Sequence, residues 1–199
     1  MDFSTFLVLD VKTTLWETDK DKPAGQNNEI IGVDVAVIDS VKNEVIEHEV
    51  IFVKPKKAKI SAYCQKIYNI SQTKLDTDGV SFEQAYRRLR IHYMSRDRLW
   101  GSWGRYDKYS LDKQCKLLNI EPLFVSSHID IQHLYCLMTG SNDDTGGVAI
   151  HQALKNVELK HTDNDAYNVA SLYMRMAKGL RPTVKTRIVV PAHQYKNVN

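Results

Sequence analysis

Residues 6–9, Phe-Leu-Val-Leu, are a short apolar run that ends at a carboxylate, Asp10. A run of this length between polar residues is typical of a buried β-strand, and we predict one over residues 5–11. Two longer segments rich in Val and Ile follow at 29–39 and 44–53, with only four residues between them. Segments of this composition favour strands joined by a compact turn. The chain is therefore expected to begin with three antiparallel strands, which restricts it to folds built on a sheet.

Helical patterns begin after the third strand. The segment 81–94 opens with Ser81 as an N-cap residue, and Gln84 three positions later predicts a capping box. Residues 98–103 (RLWGSW) are a short apolar segment that predicts a fourth strand. Further helices are predicted over 106–119, 130–138, 147–157 and 164–178. Strands followed by interleaved strands and helices indicate an α/β domain with a mixed sheet.

The chain has 199 residues, of which 43% are hydrophobic and 26% are charged. These values are typical of one globular domain, which we place at residues 1–179. The remaining residues, 180–199, contain no acidic side chain and one short apolar run. We interpret them as a basic C-terminal tail that can contact a protein partner. The net charge of +3 suits nucleic-acid binding without requiring it.

No apolar stretch approaches the roughly 20 residues of a membrane-spanning helix. The N-terminus lacks the basic and apolar regions of a signal peptide. We therefore expect no membrane contact and a cytoplasmic location. The three cysteines, Cys64, Cys115 and Cys136, are an odd number without C-x-x-C spacing. This argues against a disulfide framework and a zinc site, so reduced and mostly buried thiols are expected.

Three carboxylates stand at the ends of predicted strands and helices: Asp10, Asp107 and Asp165. If the fold brings them together they repel one another, and their pKa values rise unless cations share the charge. A pair of Mg²⁺ or Mn²⁺ ions is the usual solution, and it serves hydrolysis of phosphodiester bonds. His161, close to the last carboxylate in sequence, is a candidate base for the attacking water.

Three motifs carry a resemblance to a known family. "FLVLDVKTT" is similar to the first motif of the DEDDh 3'-to-5' exonucleases, usually D-x-E-T-T, and "WGSWGRYDKYSLDKQC" and "DNDAYNVASLY" resemble the second and third. "NNEII", "FVKP" and "ISAYCQKIYNIS" resemble the Eri-like branch of that superfamily. The resemblance covers residues 5 to about 178. It implies an α/β, RNase H-like (DnaQ-like exonuclease) fold with a mixed five-stranded sheet flanked by helices.

The same resemblance implies an activity on single-stranded 3' ends of RNA or DNA. The motif positions make Asp10, Asp107 and Asp165 the ligands of Mg²⁺ or Mn²⁺, with His161 as base. The terminal nucleotide's pocket would be lined by the three residues that follow the first aspartate, Val11, Lys12 and Thr13. Trp103 is a candidate substrate contact that can stack on a base, although its pattern favours a place in the core around the end of the fourth strand.

Two positions depart from the family pattern. Lys12 stands where the first motif has the glutamate that bridges both metal ions, and Lys160 stands where the third motif has its histidine. His161 is one residue later, and a changed loop can either deliver it to the site or turn it away. Two unit charges about 4 Å apart interact by roughly 4 kcal/mol at an effective dielectric near 20. Lys12 is therefore expected to weaken metal binding.

The ammonium group of Lys12 has two alternatives. Its flexible stem can carry it out of the site, or it can stay among the three aspartates and replace a metal's charge. Asp34, on the neighbouring predicted strand, is a further candidate partner. Two functions consequently remain open. The chain is either an active 3'-to-5' exonuclease, or a catalytically degenerate exonuclease fold that serves as a nucleic-acid-binding or protein-interaction subunit.

Overall fold

The computed structural model describes residues 2–125, 127–141 and 147–180. Within these ranges the strands are β1 (Asp2–Thr13), β2 (Ile30–Asp39), β3 (Glu44–Phe52), β4 (Arg98–Ser102) and β5 (His128–Asp130). The helices are α1 (Ala62–Tyr68), α2 (Gln72–Asp78), α3 (Phe82–Ile91), α4 (Tyr106–Leu117), α5 (Ile131–Thr139), α6 (Ile150–Asn156) and α7 (Asp165–Leu180).

The five strands form one sheet in the order β3-β2-β1-β4-β5. β1, β2 and β3 pair antiparallel, whereas β4 is parallel to β1 and β5 is parallel to β4. This confirms the predicted mixed five-stranded sheet of the RNase H-like fold. Because Val8 of β1 pairs with Gly101 of β4, the chain that leaves β4 emerges beside the second half of β1.

β1 is buried on both faces of the sheet. Leu7, Leu9 and Val11 belong to a core cluster under α3 and α4. Phe6 and Val8 belong to a second cluster under α5, α6 and α7. A strand covered by helices on both sides needs apolar residues at every position, which explains why its sequence is a continuous apolar run.

The structure differs from the sequence predictions in several places. Helices α1 and α2 lie in a segment for which no helix was predicted, and each begins at a serine N-cap, Ser61 and Ser71. These helices have only seven residues each, too few to show a helical period. β5 has three residues, and the helix predicted from 130 begins at Ile131. The predicted capping box of Ser81 and Gln84 is confirmed.

All three cysteines are free thiols, and Cys64 and Cys115 are buried. No helix among the described residues is long and apolar enough to cross a membrane. The predicted basic tail, 180–199, lies outside the described residues except for Leu180. Its boundary with the domain therefore stays a prediction.

Candidate active site

The three predicted carboxylates meet at one edge of the sheet. Asp10 is in β1, Asp107 is in the first turn of α4, and Asp165 is the first residue of α7. α4 starts shortly after β4 and next to β1, so Asp107 reaches across and its Oδ1 accepts a hydrogen bond of 2.7 Å from the backbone N–H of Val11. A carboxylate in the first turn of a helix is also favoured by the helix dipole. The fold thus brings together residues that are far apart in sequence.

Lys12 points into this carboxylate cluster and is buried. Its Nζ lies 3.0 Å from an oxygen of Asp10, 2.8 Å from an oxygen of Asp34 and 3.0 Å from an oxygen of Asp165. Of the two alternatives for its ammonium group, the structure shows the one inside the site. We refer to Lys12, Asp10, Asp34 and Asp165 as the lysine-centred cluster.

Asp34 is the member of the cluster that was least expected from the sequence, because it lies outside the three motifs. It lies opposite Asp10 in the ladder between β1 and β2 and is fully buried. Its Oδ2 accepts hydrogen bonds from Lys12 and from the backbone N–H of Asp165, at 2.8 and 2.9 Å. The sequence signal was a carboxylate inside a Val- and Ile-rich strand, because such a charge is rarely buried without a partner. The suggested pairing of Lys12 with Asp34 is present.

Burial sets the protonation of the site. It raises the pKa of Asp34 to about 6, although the charge of Lys12 acts in the opposite direction. Burial likewise raises the pKa of Asp10, and together with the charge of Asp10 it raises that of Asp107 to about 7. Burial alone would lower the pKa of Lys12, but the three surrounding carboxylates raise it above its ordinary value. Lys12 is therefore charged at neutral pH, and the carboxylates still carry negative charge that a further cation would stabilise.

The donor chemistry of the site fits a divalent ion. Asp10, Asp34 and Asp165 each offer a carboxylate oxygen, and these oxygens lie within 4.8 Å of one another. Carboxylate oxygens are the ligands that Mg²⁺ and Mn²⁺ prefer. The ammonium of Lys12 contacts the same three carboxylates, so it competes with an ion for their charge. Asp107 is not one of the three carboxylates that contact Lys12, and its Oδ1 accepts a hydrogen bond from the backbone N–H of Val11.

His161 lies beside Asp165, with 3.7 Å between its Nε2 and an Asp165 oxygen, and half of its side chain is exposed. The buried Asn168 of α7 holds the preceding loop in place. Its Oδ1 accepts from the N–H and the hydroxyl of Thr162 at 2.8 and 2.9 Å, and its Nδ2 donates to the Thr162 carbonyl at 2.9 Å. These hydrogen bonds hold Thr162, and the loop thereby places the preceding residue, His161, at the site. Asn168 is a positioning residue, and this role was not predicted from the sequence.

The predicted substrate contacts fall into two groups. Val11 and Thr13 flank Lys12, and the Thr13 hydroxyl lies 2.6 Å from the hydroxyl of Tyr106 beside a cavity of about 180 Å³. Trp103 instead packs in the core against Tyr135, and its indole N–H donates to the carbonyl of Val148 at 2.9 Å. The structure thus places Trp103 in the second of its two predicted settings, and a contact with substrate stays a prediction.

A cleft of about 370 Å³ opens over the lysine-centred cluster. Lys12, Asp34 and Asp165 form part of its wall, with His161 on one side and Tyr68 of α1 on the other. This volume is within the range of sites that hold small ligands such as one nucleotide. Of the charged side chains that line the cleft, Asp165 and His161 are partly exposed to it, whereas Lys12 and Asp34 are buried.

The sequence matches no known protein-family model. It is 26% identical over 147 residues to the probable 3'-5' exonuclease KapD of Bacillus subtilis (strain 168), an alignment that covers 73% of this chain and 70% of KapD. The structure resembles the nuclease domain of 3'hExo, a DEDDh family member, solved with bound rAMP. The TM-score is 0.76 at 20% identity, over 88% of this chain and 92% of that domain. The chain has the DEDDh exonuclease fold.

Another solved structure supports the same fold. It is the 3'-exonuclease of a structure on 3'-end-specific recognition of a histone mRNA stem-loop, with a TM-score of 0.73 at 16% identity over 88% of this chain and 82% of that one. The resemblance predicted from the motifs is confirmed for the fold. Within this fold, Lys12 of the lysine-centred cluster stands where the first motif was expected to have a glutamate.

Proposed function

We propose that this chain is a 3'-to-5' exonuclease that hydrolyses the terminal phosphodiester bond of single-stranded RNA or DNA in the presence of Mg²⁺ or Mn²⁺. The observation that carries the proposal is the convergence of Asp10, Asp107 and Asp165 around Val11 and Lys12 of β1, with His161 beside Asp165. An open cleft reaches this place and is lined by Asp165 and His161. The likeness to KapD and to a nuclease domain solved with rAMP supports it.

Each residue has a defined part in this reaction. Asp10 and Asp107 supply oxygen atoms that would hold a divalent ion, while Asp34 and Asp165 hold the ammonium of Lys12 beside it. Such an ion would lower the pKa of a bound water and would stabilise charge on the phosphoryl group. His161 accepts the proton of the attacking water, because its half-exposed ring reaches both Asp165 and solvent. Lys12 holds the carboxylates of Asp10, Asp34 and Asp165 together through its ion pairs. Val11 and Thr13 line the position of the terminal nucleotide.

Lys12 itself favours a second candidate function. Its ammonium pairs with three carboxylates and offsets one of their negative charges, so ion pairs hold the cluster together without a metal ion. A protein of this kind would bind a single-stranded 3' end without cleaving it. The two candidates make opposite predictions for one assay.

The test is to incubate 5'-labelled single-stranded RNA and DNA with the protein and Mn²⁺ or Mg²⁺. We expect a ladder of shortened products from the parent chain and none from Asp107→Asn, which keeps the shape but removes a charge. Asp112→Asn is the matched control, because Asp112 is on the same helix and pairs with Lys108 at the surface. It should retain parent activity.

The opposite outcome is equally clear. If the parent binds the labelled strand but does not shorten it, and Lys12→Glu does shorten it, the hydrolysis proposal is wrong and the binding function stands. Binding that weakens steeply with salt would show phosphate contacts in either case. A cytoplasmic location and a protein contact through the basic tail stay predictions.

A further inference from the structure

We propose that Lys12 and Asp34 are a matched pair that takes the place of one divalent ion, so that this site works with a built-in ammonium and at most one metal ion. The inference deepens the proposed function, because it names the cation that the site uses. The experiments that test this proposal measure metal binding and thermal stability, which do not depend on hydrolysis.

The ammonium of Lys12 is surrounded by carboxylates: it donates hydrogen bonds to Asp10 and Asp34 and forms an ion pair with Asp165. A lysine ammonium has three N–H donors, and three carboxylate oxygens lie within 3.0 Å of Nζ. They come from β1, β2 and α7, so the ammonium joins the same parts of the fold that a metal ion at this position would join. Because the side chain is buried, these ion pairs are not exchanged for contacts with water.

Asp34 fixes the ammonium in this position. It lies directly opposite Asp10 in the sheet and is fully buried, and its Oδ2 also accepts the backbone N–H that starts α7. Its other oxygen, Oδ1, is buried without a hydrogen-bond partner among the described residues. A carboxylate so placed would be strongly unfavourable without a cation beside it. Lys12 supplies that cation, which is why we treat the two residues as one unit.

The same geometry limits the number of ions. The oxygens that surround Lys12 belong to the three carboxylates that could hold a metal, Asp10, Asp34 and Asp165. An ion placed among all three would have to displace the ammonium. Asp107 lies outside the contacts of Lys12 and is close enough to Asp10 for their charges to interact. One ion shared by Asp10 and Asp107 is compatible with Lys12, and a second ion is not.

The decisive variant is Lys12→Met, which keeps a long side chain and removes the charge. The three carboxylates then need an external cation, so Mn²⁺ should stabilise this variant more than the parent. At a Mn²⁺ concentration 100 times the dissociation constant of this variant, we expect the Tm of Lys12→Met to rise by roughly 5 to 10 °C for a chain of this size. If Lys12→Met is unfolded without metal, refolding by Mn²⁺ supports the proposal, and failure to refold contradicts it. Lys116→Met, at an exposed lysine of α4, is the control and should respond like the parent.

The number of bound Mn²⁺ ions and the coupling between substitutions at Lys12 and Asp34 provide a second test. Titration with Mn²⁺, followed by electron paramagnetic resonance, should show one more bound ion in Lys12→Glu than in the parent. Asp34→Asn should lower the Tm of the parent but raise that of Lys12→Met, because it removes a carboxylate that has lost its cation. Equal Mn²⁺ responses in the parent and Lys12→Met, or purely additive effects of the two substitutions, would overturn the proposal. Either result leaves the question of hydrolysis to the labelled-strand assay.

Discussion

Replacing Asn168 by alanine should destabilise the protein and disturb the position of His161. The amide makes three hydrogen bonds to Thr162, at 2.8, 2.9 and 2.9 Å, and is fully buried. A typical hydrogen bond contributes about 1 kcal/mol net, so their loss should cost about 2 to 4 kcal/mol. For a domain of this size that corresponds to a decrease in Tm of roughly 5 to 15 °C.

The matched control is Gln152→Ala, which removes one exposed side-chain bond to Asn156 on α6. Such a pair contributes only about 0.2 to 0.5 kcal/mol. Urea unfolding and thermal melts followed by circular dichroism measure both variants. Because Thr162 directly follows His161, Asn168→Ala should also slow hydrolysis of the labelled strand. A loss of stability no larger than that of Gln152→Ala would refute the idea that Asn168 clamps this loop.

Three further outcomes are expected. Gly101→Ala should lower the free energy of unfolding, measured in urea, by about 1 to 3 kcal/mol or more, because a Cβ there would lie 2.5 Å from a backbone carbonyl oxygen of β5. The control is Gly179→Ala on α7, where the added Cβ meets open space, and it should be neutral or slightly stabilising. Burial raises the pKa of Cys64 and Cys115, so few of these thiols are in the reactive thiolate form at pH 8. A thiol reagent should therefore modify at most one of the three cysteines in the folded protein and all three in the protein unfolded by urea. Burial lowers the pKa of His128, so the unfolded chain binds a proton at this residue more readily than the folded protein does. The contribution of neutral His128 to stability is complete above the unfolded pKa near 6.5 and is lost as the pH falls below that value. The Tm of His128→Asn should therefore fall less than that of the parent between pH 7 and pH 5, and parallel curves of Tm against pH would contradict this.

Local sequence patterns predicted much of the fold. The apolar run that ends at Asp10 and the Val- and Ile-rich segments after it predicted the first three strands, because strand burial depends on side chains that are adjacent in sequence. The serine and glutamine of α3 predicted its start, because a capping box is formed within four residues. Local patterns did not predict the seven-residue helices α1 and α2, and the fifth strand, β5, was expected only from the family resemblance. Elements this short are stabilised by packing against the rest of the domain and not by their own pattern.

The sequence by itself determined which residues were available to the site: the three aspartates of the motifs, a histidine near the last of them, and a lysine where an acidic residue was expected. Only the tertiary structure decided what Lys12 does. Its side chain alone can point into the site or away from it, and the choice depends on Asp34 and Asp165, which are 22 and 153 positions away in sequence and adjacent in space. The same holds for His161, whose place depends on the hydrogen bonds of Asn168. Long-range contacts between buried charges exist only after the strands and helices have packed.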